Sequence, residues 1–205
     1  QSQLMSIFEA KSSFPLIRKS ENYDETIAPI LSFRLNPGKM KNVRSRGVNV
    51  DNIFSINRLG LSEAYEKGKL NRNVIIVVRN QGPKANGMPE LHSLTPMLSN
   101  VQDLGFKGAL LTDGRMSGAS GKILAAIHVT PEAIDNGVIG KIEDDDEIEI
   151  DANNGKLNIL TDISKRKKSL LNDMKKSQSF GRNIFNTLRI HSQGSEEGGG
   201  IKLIN

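Results

Sequence analysis

The feature that most constrains this chain is the run Val74-Ile75-Ile76-Val77-Val78, five consecutive residues branched at Cβ and bounded by polar neighbours. Five residues are too few for a buried helix, and an unbroken apolar run suits a strand covered on both faces. The next segment, Gln81-Gly82-Pro83-Lys84-Ala85-Asn86-Gly87, demands special backbone angles, and Pro89 stands at a plausible first helical position. Thr95-Pro96 reads as an N-cap and N1 pair for a helix running to about Leu104, with Gly105 ending it. The unit then recurs. Residues 106–112 are a second buried strand, residues 113–121 a second Gly-rich loop, and residues 123–129 a further apolar stretch. Thr130-Pro131-Glu132-Ala133 reads as another capped helix start, stopped near Asn136-Gly137. Strand, loop and helix in alternation predict an α/β fold.

Two segments with strict alternation, Glu147-Ile148-Glu149-Ile150-Asp151 and Lys156-Leu157-Asn158-Ile159-Leu160, flank Asn153-Asn154-Gly155 and predict a β-hairpin. Leu61-Ser62-Glu63-Ala64-Tyr65-Glu66-Lys67 predicts a short helix with Gly68 at its C-terminus. Residues 1–50 show no clear period, and a strand over residues 27–33 is the one element they suggest. Residues 164–176 carry Lys165, Arg166, Lys167, Lys168, Lys175 and Lys176, with Leu170, Leu171 and Met174 at helical spacing, which reads as the solvated face of a peripheral helix in preference to the alternative, a nucleic-acid patch. Residues 192–200 read as a linker, and residues 201–204 as a short returning strand. The chain thus divides into an N-terminal segment (1–50), a core (51–163), and a basic helix with a C-terminal tail (164–205).

Composition excludes several functions. The net charge is +5, but aromatic residues make up 4% and Trp is absent, so base-stacking platforms are not expected, and nor is a nucleic-acid partner. No run of about 18 apolar residues exists, so no membrane span is expected and the cytoplasm is the default compartment. The chain has no cysteine, which removes disulfides, thiolate nucleophiles and Cys-ligated zinc or iron-sulfur sites from it. Its first residue is Gln1, which suggests one part of a longer polypeptide.

Chemistry can reside in the two loops. Glu90, with His92 nearby, either complements a helix N-terminus or ligates a metal. A hard cation such as Mg²⁺ wants several oxygens, and this loop offers one carboxylate. The second loop, Thr112-Asp113-Gly114-Arg115-Met116-Ser117-Gly118-Ala119-Ser120-Gly121-Lys122, can approach a ligand through backbone N–H groups but lacks the spacing of a phosphate-binding P-loop. Ser117 is a turn serine or a base, and spacing leaves both open.

These loops carry a resemblance. Arg79-Asn80-Gln81-Gly82-Pro83-Lys84-Ala85-Asn86-Gly87-Met88-Pro89-Glu90-Leu91-His92, then the loop from Thr112 to Lys122, then Ala126-Ile127-His128-Val129-Thr130-Pro131-Glu132-Ala133, resemble the dihydroxy-acid and phosphogluconate dehydratase family, and within it the phosphogluconate branch. Gly181-Arg182-Asn183-Ile184-Phe185-Asn186-Thr187-Leu188-Arg189 is similar to that branch's C-terminal motif, so the likeness runs from about Asn52 to Gly194. It implies a C-terminal domain of β-barrel-like, swivelling β/β/α form with flanking helices.

The resemblance also implies a hydro-lyase that converts 6-phosphogluconate to 2-keto-3-deoxy-6-phosphogluconate in the Entner-Doudoroff route. The alternatives are a dehydratase of another sugar acid or dihydroxy acid, or a non-catalytic remnant. By the same resemblance Ser117 is the base, Glu90 a Mg²⁺ ligand, and Arg115, Ser120 and Lys122 substrate-binding groups. An iron-sulfur cluster would be held by cysteines of a preceding domain, the full enzyme would be a homodimer, and this chain alone would be inactive. Lys84 and His92 are further cationic candidates, whereas His128, in an apolar strand, reads as a core histidine.

Overall fold

The computed structural model describes residues 16–18, 32–36, 42–49, 64–116, 122–153, 156–166 and 180–202. Its strands are β1 (Leu16–Arg18), β2 (Ser32–Asn36), β3 (Asn42–Asn49), β4 (Val74–Val78), β5 (Gly108–Thr112), β6 (Leu124–Thr130), β7 (Glu147–Asp151) and β8 (Lys156–Ile159). The helices are α1 (Pro83–Asn86), α2 (Thr95–Asp103) and α3 (Phe180–Ile190). The strands form a single sheet in the order β1-β2-β6-β5-β4-β3-β7-β8. Its middle, from β6 through β5 and β4 to β3, is parallel, and antiparallel pairs extend it on both sides. The α/β class is therefore as the sequence predicts. The described strands do not close into a barrel, since β1 and β8 end the strand order without pairing to each other.

The β4 run is buried at all five positions because the sheet is covered on both faces. Ile75 and Val77 point to one cluster, with Leu111, Leu124, Ile148 and Ile150. Val74, Ile76 and Val78 point to the other, where Leu94, Leu98 and Val101 from the helical layer cover them. Each such side chain contributes about 1.5–3 kcal/mol by leaving water. The hairpin is as expected, with Ile148 opposite Ile159 and Ile150 opposite Leu157; residues 154 and 155 of its turn lie outside the described residues. No helix among the described residues is long and apolar enough to cross a membrane.

Several expectations need correction. Residues 1–50 contribute three strands to the sheet; the strand expected over residues 27–33 meets Ser32–Asn36 at residues 32 and 33, and residues 27–31 lie outside the described residues. Thr95 is not an N-cap. It is the first residue of α2, after Leu94, and its hydroxyl donates backward to the His92 carbonyl at 2.8 Å. Gly105, with φ of 91°, ends that helix as predicted. Residues 64–66 are helical, and Gly68 N to Tyr65 O and Lys69 N to Ala64 O, both 2.9 Å, close the helix in a Schellman motif. The expected basic helix over residues 164–176 falls mostly outside the described residues.

After Thr130, whose bond to Pro131 is cis, there is no α-helix but two 3-10 turns, Ala133–Asp135 and Val138–Lys141. Asn136 sits between them in the left-handed region, φ 65°, and stops the first. Gly137 starts the second in extended backbone, φ −56° and ψ 150°, so it is needed for space rather than for conformation. A Cβ there would lie 1.8 Å from the Pro131 carbonyl oxygen. Gly137→Ala is expected to cost about 2–4 kcal/mol, because the obstructing atom is backbone and cannot rotate away. Chemical denaturation measures this, and a loss below about 0.5 kcal/mol would contradict it.

Candidate active site

The parallel strands β4, β5 and β6 end side by side, and in open α/β sheets the crevice outside those carboxyl ends is where ligands bind. Three loops start there. Asp113, the first residue after β5, is fully buried and ties them together. Its Oδ1 accepts from Gln81 N at 2.8 Å, and its Oδ2 accepts from Asn80 N at 2.9 Å and Ala133 N at 3.1 Å. Burial pushes the Asp113 carboxyl above the usual carboxylate range, and the amide donors pull it partly back.

A second buried carboxyl, Glu132, follows β6. It accepts from Lys84 N at 3.3 Å and Ala85 N at 3.2 Å, the first free amides of α1 behind Pro83. Gly82 permits this contact, since a Cβ there would sit 2.2 Å from the Glu132 carboxyl. The α1 turn then ends on Gly87, with φ of 70°, and Met88 is also left-handed at 58°. The chain thereby reverses and delivers Glu90 to the second loop.

There Glu90 and Arg115 form a parallel β-bridge, with Leu91 N donating to Arg115 O at 3.2 Å. The Arg115 guanidinium donates from Nε to Met88 O at 2.7 Å and lies 3.4 Å from Glu90 Oε2 through Nη1. Glu90 Oε1 accepts from His92 N at 2.9 Å. Two expectations are corrected here. Glu90 is not inside a helix but just ahead of one, its carboxylate accepting from the first amide of the 3-10 turn His92–Leu94 that runs into α2, and Pro89 does not begin a helix, because the residues after it pass through the bridge before that turn.

Of the residues singled out from sequence, Glu90 and Arg115 are thus brought together. Lys122 is not part of that contact. Its ammonium bonds the Ser99 hydroxyl and lies 3.6 Å from Asp103, both on α2. Lys84 likewise turns away, pairing with Asp135 at 2.7 Å, and that hydrogen bond raises its pKa. His128 is partly buried on β6 with φ of 56°, where the β2–β6 register shifts, and its N–H donates to Gly114 O at 2.9 Å. Ser117 and Ser120 lie outside the described residues.

No group of three or more His, Asp or Glu side chains stands ready to hold a metal ion among the described residues. Glu90 can offer a partly exposed carboxylate, with Arg115 as a competing partner. Sequence reasoning passed over Asp113 and Glu132. Their one visible signal was an acidic residue placed directly after, or two residues after, an apolar strand.

Residues 52–199 match the family model described as Dihydroxy-acid/6-phosphogluconate dehydratase C-terminal. A phosphogluconate dehydratase of Pseudomonas aeruginosa is 48% identical over 140 residues, covering 67% of this chain and 23% of that protein. One from Zymomonas mobilis is 57% identical over 100 residues, 49% of this chain and 16% of its own length. A dihydroxy-acid dehydratase of Campylobacter lari is 45% identical over 105 residues, 49% and 18% respectively. The chain therefore spans about a quarter or less of the length of these relatives.

Proposed function

The chain belongs to the dihydroxy-acid/6-phosphogluconate dehydratase family, and from that premise we propose that it is the C-terminal part of a hydro-lyase converting 6-phosphogluconate to 2-keto-3-deoxy-6-phosphogluconate. The observation that carries the reading is the Glu90–Arg115 bridge, which joins the two motif loops at the carboxyl ends of the parallel strands. A barrel-like module that swivels over the rest of the enzyme belongs to the same proposal.

The reaction needs a base for the weakly acidic C2 proton and help for the departing C3 hydroxide. Ser117, two residues past Arg115, takes the C2 proton in this reading. The electron pair moves into the C2–C3 bond, hydroxide leaves C3, and the resulting enol tautomerises to the 2-keto acid. Arg115 and Lys122 supply cationic donors, and Ser120 a hydroxyl, for the carboxylate and phosphate of the substrate.

Glu90 fits as a single ligand for Mg²⁺, whose charge would favour the alkoxide form of Ser117 and the enolate-like charge at the substrate. The rest of that shell would come from elsewhere in the polypeptide. An iron-sulfur cluster does not fit this chain's own residues, which include no cysteine. The Campylobacter lari relative keeps a second substrate class, the dihydroxy acids, in view.

The test is turnover by the full polypeptide, with its metal groups reconstituted, on 6-phosphogluconate and on a branched 2,3-dihydroxy acid. A higher kcat/KM for the phosphorylated sugar acid is the expected result, with no turnover by residues 1–205 alone. Preference for the dihydroxy acid would transfer the assignment to the second class, and inactivity on both in a folded, reconstituted protein would mark a non-catalytic remnant.

A further inference from the structure

Of the six large apolar side chains that stand exposed among the described residues, four fall within residues 185–201: Phe185 at 58%, Leu188 at 43%, Ile190 at 69% and Ile201 at 54%. Singly, an exposed Leu or Ile needs no explanation, but a cluster marks a surface that something covers. Phe185 and Leu188 are three residues apart on α3, so they share one face of that helix. The chain then turns back on itself. Gln193 N donates to Gly200 O at 2.8 Å, Lys202 N donates to His191 O at 2.7 Å, and Ser192 pairs with Ile201, which sets Ile201 across from the residues that follow the helix.

Two observations bear on the occupant of this face. The first is place: α3 packs beside α1, and the returning segment reaches the same turn, where a Cβ on Gly199 would lie 3.3 Å from Pro83. Just beyond α1 the chain delivers Glu90, whose fellow ligands around Mg²⁺, under the proposed function, come from elsewhere in the polypeptide. Whatever supplies them must approach the corner of the molecule that α1 and α3 occupy. The second is length. The match with the Pseudomonas aeruginosa phosphogluconate dehydratase covers 23% of that protein, so the family's C-terminal stretch, residues 52–199 here with α3 inside it, belongs in that relative to a much larger body.

We propose that the exposed apolar face of α3, with Phe185 and Leu188 at its centre, is the docking surface for the part of the enzyme that lies outside this chain. The surface it meets is apolar in turn, because polar groups pressed against these two side chains would lose water without gaining a hydrogen bond. The direction of approach rests on reading Glu90 as a Mg²⁺ ligand, whereas the face itself rests on the exposure of its side chains. A second copy of this chain is the competing occupant.

The test is hydroxyl-radical footprinting, which modifies Phe and Leu side chains at a rate set by their access to water. Phe185 and Leu188 are expected to react several-fold more slowly in the full polypeptide than in the dilute 205-residue chain. Equal rates in the two would overturn the proposal. Rates already low in the 205-residue chain that rise on dilution would give the face to a second copy, and would overturn it too.

Phe185→Gln combined with Leu188→Gln keeps helix propensity, and should lower the melting temperature of the full polypeptide by several degrees while moving that of the 205-residue chain by less than about 2 °C, since there both side chains already stand in water. Equal shifts in both proteins would overturn the docking role by making the pair structural within α3. Should the double variant not fold, the footprint of the unmodified protein decides. A full polypeptide that turns over neither substrate class would overturn the functional reading, with the footprint still judging α3.

Discussion

Ser117→Ala in the full polypeptide is expected to slow exchange of the substrate C2 hydrogen with solvent deuterium by on the order of a hundredfold to ten-thousandfold, the usual effect of removing a general base. The size of the effect follows from the proposed role, because the other groups of the motif are committed elsewhere: Asp113 is buried and holds three backbone amides, Ser120 is assigned to binding, and Arg115 and Lys122 are cations. Stability should change by no more than roughly 0.5 kcal/mol if the hydroxyl makes no buried hydrogen bond. Thermal melting separates the two roles. Near-normal exchange in a folded Ser117→Ala protein would remove Ser117 as the base, and a melting temperature that collapses in parallel would make it a structural serine.

Asp113→Ala is expected to destabilise the chain by about 4 kcal/mol, since three buried amides from two other loops would lose their acceptor at once. Asp113→Asn keeps the shape but turns an NH₂ toward N–H donors, and should cost about half as much. Urea unfolding measures both, and an Asp113→Ala loss under about 1 kcal/mol would mean the loops hold together without it.

The pH dependence has a definite sign. Asp113 and Glu132 both hold their protons more tightly folded than unfolded, so their contribution is full below the ordinary carboxylate pKa and is lost as pH rises. The urea midpoint should therefore fall between about pH 5 and 8, and a rise over that range would count against the buried state of these two carboxyls.

What could be read from sequence was whatever a segment states about itself. Val74–Val78 is apolar throughout because both faces of β4 are covered, and the β7–β8 hairpin alternates because one face is. Strands β1 and β3 escaped that reading, and β2 was met only at its first two residues, because their place depends on their neighbours rather than on any period of their own. The helix expected after Thr130 failed because a capping pattern is a local statement, and Asn136 and Gly137 allow only 3-10 turns. In the site, the motif loops were legible and their contact was not. Beyond their place just after an apolar strand, Asp113 and Glu132 left no pattern of partners, because each is satisfied by backbone amides far off in the chain, and an amide has no residue identity to recognise.

Strand β3 has a consequence for how such a module is inherited. It stands between β4 and β7, yet it comes from residues 42–49, before the stretch shared with the family begins at residue 52. The shared stretch alone would leave β4 and β7 each with a bare edge, and the β7–β8 hairpin would lose its attachment to the sheet. The stretch that matches the family and the sheet that holds it together thus have different borders in this chain. Any exchange of the module between proteins must move the unmatched strand along with it or find another segment to fill the same gap.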